Sequence, residues 1–357
     1  MSARLVNIEA AAPKYSSSTR SANERSSPHW ISTLPILILN IHERCNCRCV
    51  MCDIWKRESG AELSVDALAR HRDSIVTLGV REVVLTGGEP LLHTSFAELC
   101  AFLRECDVRI TLLSTGLLLK KRAEVIASSV DEIILSLDGP EETHDSVRRV
   151  RLGFQLIREG ILAVRQWKPE MAIRARCTIQ KANYRRLRES VRGAQQLGLD
   201  SISFLAADVT SQAFNRKQAW AGDRQSEIAL SHSEVNALDE EIELLIQEHA
   251  DEIRSGYIVE RPDKLRRIAQ HFREHLGEVT AEAPRCNAPW VSAVVEVDGS
   301  LRPCFFHRKV GDIRQDSLQD ALNSEEALGF RQDLRVPDND ICKRCVCSLN
   351  YQGQEKR

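Results

Sequence analysis

Four cysteines fall within eight positions of the chain, in the stretch ERCNCRCVMCDIW at residues 43–55. Cys45, Cys49 and Cys52 form a CxxxCxxC pattern. Three closely spaced thiolates can each hold one iron of a cubane cluster and leave the fourth iron open, whereas structural zinc takes four closed ligands. Cys47 is the extra thiol. It either completes a zinc site or is a bystander or a thiol lining the site, because residues two apart tend to point in opposite directions. A second concentration follows from residue 286 onward: Cys286, Cys304, Cys342, Cys345 and Cys347 lie in a loop-rich stretch with too little apolar material for a conventional core. Metal binding is expected to stabilise it.

The rest of the composition decides what those thiols are for. The chain has 357 residues, twelve of them cysteine, and a net charge of −2. Its longest strongly apolar run, LPILILNI at 34–41, is far below the roughly 18 residues of a membrane helix, and the N-terminus lacks a signal-peptide pattern. A cytoplasmic, reducing location follows as the expectation, with clustered cysteines read as metal ligands or catalytic thiols and not as disulfides. The near-zero charge argues against a nucleic-acid partner.

The thiols need elements to position them. Residues 1–33 are rich in Ser, Ala and Arg and show no hydrophobic period, which predicts a disordered tail. Over 34–210 the runs ILILNI, EVVLT, RITLLS, EIILSLD, AIRARCTI and SISFLA read as six strands alternating with helical patterns. Among the helices, SVDALARHRDSIVTLG has Ser64 as N-cap, and NYRRLRESVRGAQQLG is closed by Gly198. Strand–helix alternation with near-continuous apolar strands predicts an α/β fold, a partial (β/α)6 TIM-like barrel, with a doubly wound open sheet as its rival. Residues 211–283 read as a helical bridge, with a Ser231–Glu234 capping box and a second helix in PDKLRRIAQHFREHLG. The last segment, 284–357, carries one hairpin, SAVVEVDGSLRPCFF, turning at Asp298 and Gly299. The cysteine triplet directly follows the first strand, where the loops of a β/α barrel carry its chemistry.

These residues resemble the radical S-adenosylmethionine (SAM) superfamily, whose signature is CxxxCxφC; Met51 stands where an aromatic residue is usual. LTGGEP at 85–90 resembles that family's GGEP motif, which implies that Gly87, Gly88, Glu89 and Pro90 receive the methionine end of SAM. LSTGLLL resembles its TNG-like turn, with Ser114 to Gly116 near SAM, although the asparagine is absent. SLDGPEETHDSVRR at 136–149 resembles its SLDG stretch, placing Ser136 and Asp138 beside the ribose and the nascent radical. Arg174 or Arg176 on the fifth strand would, on this resemblance, meet the SAM carboxylate, Arg176 being the expected one. Cys286, Cys304 in GSLRPC, and the CxxC of Cys342 and Cys345 resemble a SPASM or shorter Twitch auxiliary domain, in which these four would hold a second 4Fe-4S cluster. Cys347 is then left over as an alternative ligand.

What the resemblance implies is reductive cleavage of SAM at a 4Fe-4S cluster, fed by an electron donor such as flavodoxin or ferredoxin. The 5'-deoxyadenosyl radical would take a hydrogen atom from a small hydroxylated substrate such as a sugar, cyclitol, nucleoside or cofactor precursor, for oxidation or rearrangement. A peptide or protein maturase is the alternative, and a non-catalytic zinc-bound scaffold the third reading. Cys100, Cys106 and Cys177 read as buried small hydrophobes, His29, His42 and His93 as structural residues, and the basic helix faces as solvated.

Overall fold

The computed structural model describes residues 26–216 and 218–353. Strands β1 (Ile36–His42), β2 (Glu82–Gly87), β3 (Arg109–Ser114), β4 (Glu132–Ser136), β5 (Ala172–Ile179) and β6 (Ser201–Ala206) lie side by side in chain order, every neighbouring pair parallel. This is the expected open partial barrel. Helices such as Phe96–Glu105, Gly153–Trp167 and Leu187–Gln196 make the crossovers that parallel strands require.

Local chemistry explains most boundaries. Ser64 Oγ accepts from Ala67 N at 3.2 Å, as a cap should, but the helix it starts stops at Ala69 and a second runs from Arg72 to Thr77. His71 sits at the break, buried, and its Nδ1 accepts from Leu318 N at 3.2 Å. A contact with the far end of the chain thus interrupts what periodicity reads as one helix. In the bridge, Ser231 N donates to Glu234 Oε2 at 2.8 Å to begin the helix His232–Glu248, and Pro262–Leu276 packs against it.

The C-terminal hairpin forms where expected. Strands β7 (Ser292–Val295) and β8 (Ser300–Arg302) are antiparallel, and Asp298 Oδ1 accepts from Ser300 N at 2.9 Å in the turn. Its setting was not expected. β7 pairs in parallel with β1, Ile36 opposite Ser292 and Leu39 opposite Val295, and β9 (Gly311–Asp312) ends a sheet of nine strands in the order β6-β5-β4-β3-β2-β1-β7-β8-β9. Ala293, Val295, Leu301, Leu318 and Leu322 accordingly join the barrel's own hydrophobic core, so metal is not the segment's sole source of stability.

Residues 1–25 of the expected tail lie outside the described residues. Its final stretch is ordered by the C-terminal region, which corrects the expectation there. Ile31 N donates to Asn323 Oδ1 at 2.8 Å, Asn323 Nδ2 returns a bond to Ile31 O at 3.0 Å, and Arg331 Nε donates to His29 O at 2.6 Å. Among the described residues, no helix is long and apolar enough to cross a membrane.

Candidate active site

The chain leaves β1 at His42 and turns across the mouth of the barrel as the cysteine loop. Three neighbours hold it by backbone atoms. Arg48 N and Val50 N donate to the carbonyls of Arg148 and Val147 at 3.2 and 3.0 Å, at the end of the helix Glu141–Arg148. From the segment after β6, Arg216 Nη2 donates to Met51 O at 3.2 Å and Asn215 Nδ2 to Asp53 O at 3.0 Å, while Trp220 Nε1 donates to Asp53 Oδ2 at 2.7 Å. The guanidinium of Arg216 lies 3.8 Å from the centre of the Trp220 ring and is paired with Asp208 Oδ2 at 2.7 Å. From the third side, Gly88 N donates to His42 O and Glu89 N to Arg44 O, both at 2.8 Å. A Cβ at Gly88 would stand 2.0 Å from Arg44 O, and one at Gly87 2.5 Å from His42 O. Close packing against the start of the cysteine loop, in addition to any ligand, therefore demands both glycines.

Cys45, Cys49 and Cys52 share the wall of one cavity of about 1010 Å³ with Gly87, Gly88, Ser114, Ser136 and Arg176. Cys47 is buried behind them, within hydrogen-bond reach of Cys45 and Cys49, and those bonds raise its thiol far above the ordinary range. It does not reach the cavity wall that the other three share. The Cys47 hydrogen bond, with the Arg148 charge beside it, lowers the Cys49 thiol to about 6 against the opposing effect of burial. Burial pushes Cys52 up to about 12.

The remaining residues of the motifs divide. Ser114, Ser136 and Arg176 reach the cavity wall, but Glu89, Pro90 and Asp138 do not. Glu89, expected at the methionine end of SAM, is 0% exposed and its carboxylate is fully engaged inside the protein. Oε1 accepts from Leu91 N at 3.1 Å and Ser114 Oγ at 2.9 Å; Oε2 accepts from Thr115 N at 2.8 Å and Thr115 Oγ1 at 2.6 Å. It braces the turn after β3. Pro90 starts the short helical turn Pro90–Leu92 and is buried beneath it. Asp138, expected beside the ribose, is also 0% exposed: Oδ1 accepts from Thr178 N at 3.0 Å and Oδ2 from Arg148 Nε at 2.5 Å. Arg174 leaves the site to pair with Glu132 at 3.0 Å. Arg148 and Arg216 are the participants that sequence reasoning missed, while Thr115 lies in the turn it had marked. Only Arg148 had a visible signal, as a cation ending the SLDG stretch.

A second cavity of about 1420 Å³ opens from the first, with Gly87, Gly88, Arg176, Thr178, Leu205 and Phe214 in both walls. Four arginines, Arg57, Arg176, Arg216 and Arg302, line it against one carboxylate, Glu296. His42 also lines it, which structural roles alone did not predict, whereas His93 is satisfied by Leu63 O at 3.0 Å and Ser95 N at 3.1 Å.

Beyond the second cavity, Cys286, Cys304, Cys342, Cys345 and Cys347 line a third one of about 420 Å³. Burial raises Cys304 to about 11 and Cys342 to about 12, and the His307 Nε2 stands 3.3 Å from Cys342 Sγ. Cys347 faces the second cavity as well. Among the described residues no three His, Cys, Asp or Glu side chains close around a single metal-ion position. Soft sulfur donors spread over a cavity wall fit multi-iron clusters, one thiolate per iron, better than one zinc ion. Cys100, Cys106 and Cys177 are buried elsewhere, as expected.

Comparison with known proteins matches residues 39–206 to the radical SAM superfamily and 286–346 to an iron-sulfur cluster-binding domain, SPASM. The chain is 30% identical over 345 residues to the Fe-coproporphyrin III synthase of Methanosarcina barkeri, covering 89% of this chain and 83% of that one. It is 27% identical over 296 residues to GTP 3',8-cyclase 2 of Pseudomonas aeruginosa, covering 78% and 81%. Its fold matches native anSMEcpe with bound AdoMet at a TM-score of 0.63 and 18% identity, covering 87% and 86% of the two chains. SuiB of Streptococcus suis bound to S-adenosylmethionine matches at 0.60 and 16%, covering 89% and 73%.

Proposed function

The chain belongs to the radical SAM superfamily, with 4Fe-4S clusters and SAM as its cofactors, and from that premise we propose that it abstracts hydrogen from a small anionic molecule held in the larger cavity. Cys45, Cys49 and Cys52 hold the SAM-binding cluster, and Cys286, Cys304, Cys342 and Cys345 the auxiliary one. When bound, the first cluster would supply the electron for reductive cleavage of SAM to methionine and a 5'-deoxyadenosyl radical, the species that would take a hydrogen atom from the substrate. A flavodoxin or ferredoxin is the proposed electron source.

The residues of this chain do the rest. Gly87 and Gly88 with Ser114 and Ser136 share the cavity wall with the thiols, while the braced carboxylates of Glu89 and Asp138 fix the turns after β2, β3 and β4. Phe214, Phe305 and Phe306 line the larger cavity and limit water around the reacting carbon.

The carrying observation is the composition of that wall: four arginines line it, of which Arg57, Arg216 and Arg302 are already paired with Glu43, Asp208 and Glu296. Arg176, at the junction of the two cavities, has no carboxylate ion-pair partner among the described residues. Guanidinium groups recognise carboxylates and phosphates. The names of the two relatives point to the same chemistry, since a coproporphyrin carries carboxylates and GTP a triphosphate. The hydroxylated small molecule expected from the sequence is thus narrowed to one bearing acidic groups.

Anaerobic reconstitution followed by an assay for 5'-deoxyadenosine with SAM and dithionite tests this reading. Addition of iron coproporphyrin III or GTP is expected to stimulate release more than a neutral sugar or cyclitol. Stimulation by neutral sugars alone, or by peptides alone, would sink it.

A further inference from the structure

Arg148 ends its helix with the guanidinium buried against the cysteine loop. Nη1 donates to Cys49 Sγ at 3.4 Å and Nε to Asp138 Oδ2 at 2.5 Å, and the main-chain carbonyl accepts from Arg48 N at 3.2 Å. One residue therefore sets the backbone of the loop between Cys47 and Cys49 and places a positive charge at one of its sulfurs. Asp138 cannot swing away, because its other oxygen accepts from Thr178 N at 3.0 Å and its carbonyl from Asn183 Nδ2 at 3.0 Å. Both side chains are removed from water, so neither charge is screened as a surface pair would be.

A cation held at a ligating sulfur stabilises the more negative, reduced form of an iron-sulfur cluster, and an N–H to that sulfur acts in the same direction. An anion does the opposite. The order along the line is fixed here: the guanidinium lies between the Cys49 sulfur and the Asp138 carboxylate. Its charge therefore dominates at the sulfur, and Asp138 tempers it.

We propose that Arg148 is a positioning residue that raises the reduction potential of the cluster on the cysteine loop, and that Asp138 sets how far. This rests on the reading that Cys45, Cys49 and Cys52 hold that cluster.

The test is an EPR-monitored redox titration of the reconstituted full chain, following the signal that changes when SAM is added. Arg148→Met removes the charge and keeps much of the volume, and the midpoint should fall. Asp138→Asn leaves the guanidinium in place without its counter-charge, and the midpoint should rise. Arg148→Lys, which keeps the charge, should lie nearer the wild type than Arg148→Met, and the double variant R148M/D138N between the two singles. Opposite signs are the decisive readout, since loosening of the loop alone has no reason to move the two variants in opposite directions. Asp138→Asn carries the sign test even where Arg148→Met takes up no iron. Midpoints that stay put, or move the same way, at unchanged iron content would overturn the proposal and leave the ligand assignment standing. A wild-type chain with no SAM-responsive signal would overturn both.

Discussion

The ring of Phe214 meets that of Phe306 edge to face, with centroids 6.3 Å apart and planes inclined by 75°. Phe214 lines both the cysteine-loop cavity and the larger one; Phe306 lines the larger one and the cavity of the C-terminal cysteines. A single aromatic contact thus touches all three chambers.

Loss of that contact should uncouple the reaction. Phe306→Ala removes a ring pair worth about 0.5–1.5 kcal/mol beyond its buried area and opens the larger cavity to water. The ratio of 5'-deoxyadenosine released to product formed should rise. An unchanged ratio would show that the rings serve packing alone.

Cys49→Ala should abolish SAM cleavage while circular dichroism and the iron of the C-terminal cluster persist. Cys47→Ala, by contrast, should retain the first cluster, because its thiol lies behind the cavity wall as a hydrogen-bond donor. Iron analysis on the two variants side by side separates ligand from neighbour.

Cys342→Ala should remove about four irons per chain, one cubane's worth. Cys347→Ala should remove none if the set is Cys286, Cys304, Cys342 and Cys345. Equal iron loss in both would make Cys347 a ligand.

Glu89 should matter to stability before it matters to binding. Replacing it by Ala leaves the hydroxyls and amides that now converge on its carboxylate without acceptors, at a cost of about 3 kcal/mol. Chemical denaturation of the apoprotein, with no SAM present, should already reveal that loss. A variant as stable as wild type but unable to bind SAM would return Glu89 to the ligand's side.

His144 predicts an acid limb of stability. Burial, helped by the nearby Arg148 charge, lowers its imidazole from 6.5 to about 4, and its Nδ1 accepts from Asp138 N at 3.3 Å. The folded state therefore binds this proton less readily than the unfolded chain. The contribution is complete above 6.5, declines as pH falls from there to about 4, and is gone below. His144→Gln should flatten that part of a denaturation-versus-pH curve; an unaltered slope would assign it to other groups.

The cysteine spacing and the strand order were legible because both are local: a loop of eight residues and runs of five to eight apolar ones carry them. The surroundings of Glu89 and Asp138 were not legible for the opposite reason. Their motifs mark the right turns, but whether a carboxylate faces a cavity or turns inward depends on Thr115, Arg148 and Thr178, which belong to other strands and loops. His71 shows the same limit at the level of secondary structure. Its helix breaks for a partner 247 residues away. Nor does any pattern in 284–357 announce pairing with β1; an exposed hairpin and one docked on a sheet edge share the same alternation.

The position of β1 between β2 and β7 has a consequence for how the chain is made. During synthesis the barrel strands emerge first, and until residue 295 has left the ribosome β1 offers one bare row of amides and carbonyls to any passing strand. The closing partner arrives about 250 residues late, across a loop whose entropy only a hydrophobic reward can offset. The first and last quarters of the chain must therefore meet before the newborn protein is safe from self-association, and a message cut short before the hairpin yields a sticky edge.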